Sequence, residues 1–200
     1  WVFLRKYIKL RLAWDGDYLR GLIKRTWPLA ITVVLNLIYF KTDTLILSAY
    51  HSPETVALYG APYRVLEVLV TFPHMFMSLV LPFLAAAWLN QRLDNFRHYA
   101  QLSFNFLAIL AIPMVVGFWL IGEKLMVLLA GPDFAASGPI LNILILATAF
   151  IFFGTLFTYL VVALDLQKQM IKYFLIAAVL ALVGYFIFIP IYSYWGAAYI

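Results

Sequence analysis

Residues 52–88, SPETVALYGAPYRVLEVLVTFPHMFMSLVLPFLAAAW, decide how the chain is read. Ser52 stands as an N-cap, Pro53 occupies the first turn and Glu54 sits near the positive end of the dipole, so a helix opens here. The run then stays mostly apolar for longer than a membrane span requires. Projected at about 100° per residue, its polar positions fall on one line. With Gly60 at zero, Arg64, Glu67, Thr71, His74 and Ser78 all lie within about 40° of it. Gly60 to Ser78 covers roughly 27 Å, close to the hydrocarbon thickness of a bilayer. A lipid-facing helix cannot carry Arg, Glu and His in a row, because each buried charge costs several kcal/mol. The stripe reads as the lining of a hydrophilic cavity within the membrane; the alternative is a set of charges paired off inside a bundle. A kink at Pro73 or Pro82 would rotate its lower part.

Working outward, the whole chain has the same character. It is 66% hydrophobic and 12% charged, with a mean hydropathy of +0.95, which marks a polytopic, all-α membrane bundle. Cysteine is absent, so disulfides and thiolate metal sites are excluded. The net charge of +5 is assigned to cytoplasmic loops rather than to nucleic-acid binding. Residues 1–26 read as the end of a preceding span, then a basic cytoplasmic connector, then a short interfacial helix, 18–25, capped by Asp15. Residues 27–200 read as a transmembrane lobe with spans at about 27–50, 54–89, 99–120, 134–164, 170–189 and, cut short, 194–200. A polar loop is expected at 90–98, an amphipathic piece at 123–129, a kink at Pro113 and a helix end at Pro190.

Basic residues set the orientation. Of the fourteen Lys/Arg, all but three precede the first span or lie in the loops near Arg92 and Lys168. Lys124 alone falls on the opposite side, and Lys41 and Arg64 are intramembrane. The positive-inside rule then places the N-terminus and these loops in the cytoplasm.

Residues 27–50 and 54–89 form a tight hairpin, which brings Asp43 and Arg64 within about one helical turn of each other in depth. An Asp43–Arg64 ion pair is therefore expected, since unpaired charges at that depth are costly. Lys41 points nearly opposite to Asp43 and needs another partner, for which Glu67 is placed. A cavity holding Lys41 and Arg64 can receive an anionic group such as a phosphate. Asp43, Glu67 and His74 can carry protons or bind a cation. His51, His74 and His98 are scattered, so no metal site is expected. Nothing in the chain resembles a nucleophile–base set, a Walker loop or a glycine fingerprint, so no catalytic residue is assigned and the chain is not read as an enzyme.

The run IYFKTDTLILSAYHSPETVALYGAPYRVLE resembles the seventh and eighth spans of polysaccharide flippases, the O-antigen exporter branch of the multidrug/oligosaccharidyl-lipid/polysaccharide superfamily. AGPDFAASGPILNILILATAFIFFGTLFTYLVVALDLQKQ resembles the tenth span, and IPIYSYWGAA the segment between the last core spans. Each motif is loose; their order and spacing together are the specific part. Pro62 departs from the small residue usual in the family.

The resemblance implies a two-lobed helical transporter of the MATE/MOP-like type, of which this chain forms most of the second, six-helix lobe. Its substrate would be a polyprenyl-diphosphate-linked oligosaccharide, turned across the cytoplasmic (inner) membrane by alternating access. Its partners would be that lipid-linked substrate, the membrane and the preceding lobe, without nucleic acid. No cofactor is implied beyond a coupling ion, H+ or Na+. In the family, basic residues of the eighth span face a central cationic cavity, and Arg64 matches that position; Asp43 matches the acidic residue of the seventh span. The rivals are a multidrug/cation antiporter of the same superfamily, which would want a net acidic cavity, and a membrane glycosyltransferase, which would need acidic residues on a substantial outer loop.

Overall fold

The computed structural model describes residues 16–200, with the backbone alone for some residues between 25 and 40. The preceding-span, basic-connector and Asp15-cap expectations at 1–15 lie outside the described residues. All elements in the described part are helical: α1 (Gly16–Tyr50), α2 (Pro53–Leu89), α3 (Leu93–Ala130), a 3-10 turn (Pro132–Ser137), α4 (Gly138–Ala163), α5 (Gln167–Tyr192) and α6 (Tyr194–Tyr199). Four of these segments, 53–89, 93–130, 132–163 and 167–192, are long and apolar enough to cross a membrane. Their outward surfaces fit that setting, since Leu79, Ile109, Leu120, Leu128 and Phe150 are all exposed. The chain is a multi-pass membrane protein built as an all-α bundle.

The helices are organised as two groups. α2 and α3 pack around α4, while α1 lies along α5 and α6 folds back onto α5. One core, containing Leu47, Tyr59, Leu66, Ile140, Tyr185 and Ile189, draws on α1, α2, α4, α5 and α6 together. A second, around Met77, Leu84, Leu107, Ala111 and Phe152, draws only on α2, α3 and α4. The two groups therefore join through the half of the bundle that carries the His51 turn. That end is also tied by polar contacts: His51 Nε2 lies 2.9 Å from the Ile189 carbonyl oxygen, and Ser137 Oγ donates to the Leu58 carbonyl at 2.7 Å.

Close approach explains two glycines. A Cβ on Gly138 would stand 2.7 Å from Glu123 Cα, so the α3–α4 crossing requires its absence; on Gly196 it would stand 2.4 Å from the Phe188 carbonyl oxygen, where α6 turns back on α5.

Several boundaries differ from the sequence expectations. The separate interfacial helix at 18–25 does not exist as such: α1 runs unbroken from Gly16 to Tyr50. The expected loop at 90–98 is mostly helix, because α3 begins at Leu93 with Asp94 favourably placed in its first turn. The amphipathic piece at 123–129 is the continuation of α3, which passes through Pro113 to Ala130. At 38 residues α3 measures about 57 Å, so its polar ends project beyond the hydrocarbon. The span expected from 134 begins as a 3-10 turn and becomes α-helical at Gly138. α5 continues past Pro190 and stops at Ser193, whose φ of 57° breaks the helix. Pro190 has no N–H to donate, but the two residues after it stay helical and Ser193 N still donates to the Ile189 carbonyl at 2.8 Å.

Both turns at the opposite end close in the same way. Gln91 and Asp165 have φ of 56°. Arg92 N donates to the Ala87 carbonyl at 2.9 Å and Leu166 N to the Val161 carbonyl at 3.0 Å, the six-to-one bond of a Schellman motif.

Candidate functional site

The polar stripe belongs to α2. Ser52 begins the helix, its hydroxyl accepting from Thr55 N at 3.4 Å. The face bearing Tyr59, Tyr63, Leu66, Met77 and Leu84 is buried against the other helices. The stripe lies on the open side, where Arg64, Thr71, His74 and Ser78 are exposed and Gly60 and Glu67 half-buried. Beside it runs an exposed apolar face that includes Val68, Met75 and Leu79. α2 thus presents two adjacent open faces of opposite character.

Three charges meet on this surface. Glu67 receives Lys41 Nζ, from α1, on Oε1 and Arg64 Nη1 on Oε2 at 3.2 Å. The Lys41 ammonium also stands over the Tyr63 ring, 5.4 Å from its centroid, a cation–π arrangement. Two cations share one carboxylate, so the trio carries one positive charge in excess. The Arg64 side chain is 83% exposed, which leaves most of its guanidinium donors open to a further anion.

Asp43 is elsewhere. It is 3% exposed and points into the core. There it accepts the Tyr59 hydroxyl on Oδ2 at 2.6 Å, and Thr44 N at 2.6 Å on Oδ1. The Thr44 hydroxyl adds a third bond to Oδ1 at 3.2 Å. The expected Asp43–Arg64 ion pair is therefore replaced by two separate partnerships, Asp43 with Tyr59 and Arg64 with Glu67. The reason is angular: Tyr59 and Arg64 are five residues apart, about 140° around the helix, so α2 cannot turn both toward α1's buried carboxylate.

The remaining stripe residues continue away from the trio. Thr71 and Ser78 bond their hydroxyls back to the Glu67 and Met75 carbonyls, at 3.0 Å and 2.7 Å, and keep lone pairs for a ligand. The His74 ring lies 6.1 Å from that of Tyr159 on α4, whose hydroxyl donates to the His74 carbonyl at 3.2 Å. The structure thus gathers Lys41, Arg64 and Glu67, sets Thr71, His74 and Ser78 along the same face, and withdraws Asp43 into the core. Tyr59 and Tyr63 are the participants that sequence reasoning missed. Their four-residue spacing on one face of α2 was the available signal, and the helix-pair direction it needed was not. Among the described residues no three acidic or histidine side chains gather as a metal site would require.

No curated protein and no solved structure matches the chain. A family model described as polysaccharide biosynthesis protein matches residues 1–139, a stretch that includes the charged trio and the whole stripe. The chain belongs to this family of polysaccharide biosynthesis proteins.

Proposed function

We propose that the protein flips a polyprenyl-diphosphate-linked oligosaccharide across the cytoplasmic membrane by alternating access, with residues 27–200 forming one of two lobes. Membership of a polysaccharide biosynthesis family supports a role in polysaccharide synthesis or export; the transport step rests on the site. The observation that carries it is the Lys41–Glu67–Arg64 trio on the open face of a membrane-length helix. An arginine so exposed at that depth cannot face lipid, so the face borders water or a second protein lobe. The excess positive charge selects an anion, and a diphosphate is the anionic part of such a substrate. A cation antiporter is less well served, because its open face would need net negative charge, whereas Asp43 is enclosed by Tyr59 and Thr44.

In this reading the Gln91 and Asp165 turns are cytoplasmic and the His51 turn is external, following the distribution of Lys and Arg. The preceding lobe covers the stripe, and the two lobes rock about the bound headgroup.

The test is export in cells lacking their own flippase, using the full-length protein. Arg64→Gln and Lys41→Gln should each lower surface glycan at least tenfold while lipid-linked glycan accumulates inside. Undiminished export in the double variant would overturn the anion reading.

A further inference from the structure

Arg64 borders a second feature. Between α2 and α3 an apolar groove of about 440 Å³ is lined by Val65, Val68 and Leu69 on one side and Met126, Leu129 and Ala130 on the other, with Arg64 at its edge. Around α2 the order is continuous: Glu67, then Arg64, then Val68 and Val65, then Leu69, over about 200°. A charged platform thus passes directly into an oily channel, and the guanidinium stands at the junction.

We propose that this groove holds the first units of the prenyl chain of the lipid carrier while its diphosphate rests on Arg64 and Lys41; the inference rests on the flippase reading above. The groove's position matches the chemistry of the carrier, an anion joined directly to a branched hydrocarbon. Inside a bilayer such a groove adds little affinity by itself, since lipid tails are as apolar as leucine. Its contribution is direction. With the chain leaving between α2 and α3, the glycan on the far side of the diphosphate points along Thr71, His74 and Ser78, the hydroxyl- and imidazole-bearing part of the stripe. Val68 and Leu129 are 73% and 61% exposed, so the groove is open along its length to a chain arriving sideways from the membrane.

The test uses the full-length protein in vesicles of phosphatidylethanolamine and phosphatidylglycerol. The probe is a polyprenyl diphosphate bearing a diazirine near its headgroup. Irradiation should label the peptides containing Val68 and Leu129, and unlabelled polyprenyl diphosphate should suppress that labelling at least tenfold. Val68→Trp, which fills the groove from an exposed position, and Arg64→Gln should each reduce it by a similar factor. Equal, non-competed labelling by a diazirine-bearing phosphatidylglycerol would mean the groove holds ordinary bilayer lipid, and the proposal falls. Glycan flipping measured in the same vesicles separates the two readings. Flipping without groove labelling overturns the prenyl site alone; no flipping, and no competed labelling anywhere, overturns the flippase reading itself.

Discussion

Tyr59 donates its hydroxyl to Asp43 at 2.6 Å across the α1–α2 hairpin, deep in the core shared by α1, α2, α4, α5 and α6. Tyr59 is 1% and Asp43 3% exposed, so this bond joins α1 to α2 where water does not compete. Hydrogen bonds to charged groups contribute about 1.5–3 kcal/mol, and an abandoned buried acceptor costs its desolvation. Tyr59→Phe is therefore expected to destabilise the full-length protein by about 2 kcal/mol, read as a lowered unfolding midpoint in detergent. Asp43→Asn turns one of the two accepting oxygens into a donor, so it cannot keep both the Tyr59 and the Thr44 bonds and should also lower the midpoint. Exchanging Asp43 with Arg64 should fail to restore stability, because the two side chains do not meet.

The charged trio predicts the opposite balance of effects. Lys41 and Arg64 are 53% and 83% exposed, so Glu67→Gln should change stability by no more than about 1 kcal/mol. It should nevertheless alter transport, because it frees two cations from their internal anion. An unfolding midpoint near wild type together with changed glycan export is the expected result. A large loss of stability would mark the trio as structural.

Much of this was legible in the sequence, and the failures share a cause. The stripe from Gly60 to Ser78 could be found because one helix carries its own angular ruler, and α2 ends within a residue of where its pattern says. The partner of Asp43 could not, because depth along two helices says nothing of how each is rotated toward the other. Measured from Ser52, Tyr59 lies nearer to Asp43's depth than Arg64 does; only the packing reveals that Tyr59 faces α1. Helix ends were misjudged where polar residues such as Asp94 and Glu123 sit on helices that protrude from the membrane. There, polarity marks the interface and not the end of the helix.

Glycine positions supply a contrast in packing. Gly138→Ala places a methyl against the Glu123 backbone and should cost about 1–3 kcal/mol by overpacking. Gly60→Ala meets nothing within 4 Å and removes a flexible residue from a helix interior, so it should be neutral or stabilising by up to about 1 kcal/mol. Unfolding midpoints of the two variants, measured side by side, check the α3–α4 crossing.

Replacing Gln91 by Gly addresses the turn between α2 and α3. Gln91 holds a left-handed conformation at φ 56°, which a side chain disfavours by about 1–2 kcal/mol. Gln91→Gly should raise the unfolding midpoint modestly and leave transport unchanged, since the turn lies at the far end of α2 from the trio. A lowered midpoint would contradict the helix-capping geometry given for this turn.

The central claim is that the polar face of α2 borders water inside the membrane while the adjacent apolar face borders lipid. Single cysteines test it directly, because the chain contains none of its own. Any in the proposed preceding lobe are replaced first. Thr71 and Ser78 on one face, and Val68 and Leu79 on the other, are all exposed, so protein burial does not distinguish them. A thiol reacts as thiolate and therefore needs water. Cysteine at Thr71 and Ser78 should react with a small water-soluble maleimide at least tenfold faster than cysteine at Val68 and Leu79. Equal protection at all four positions would contradict the account, placing the stripe in a dry interface with no cavity for an anionic substrate.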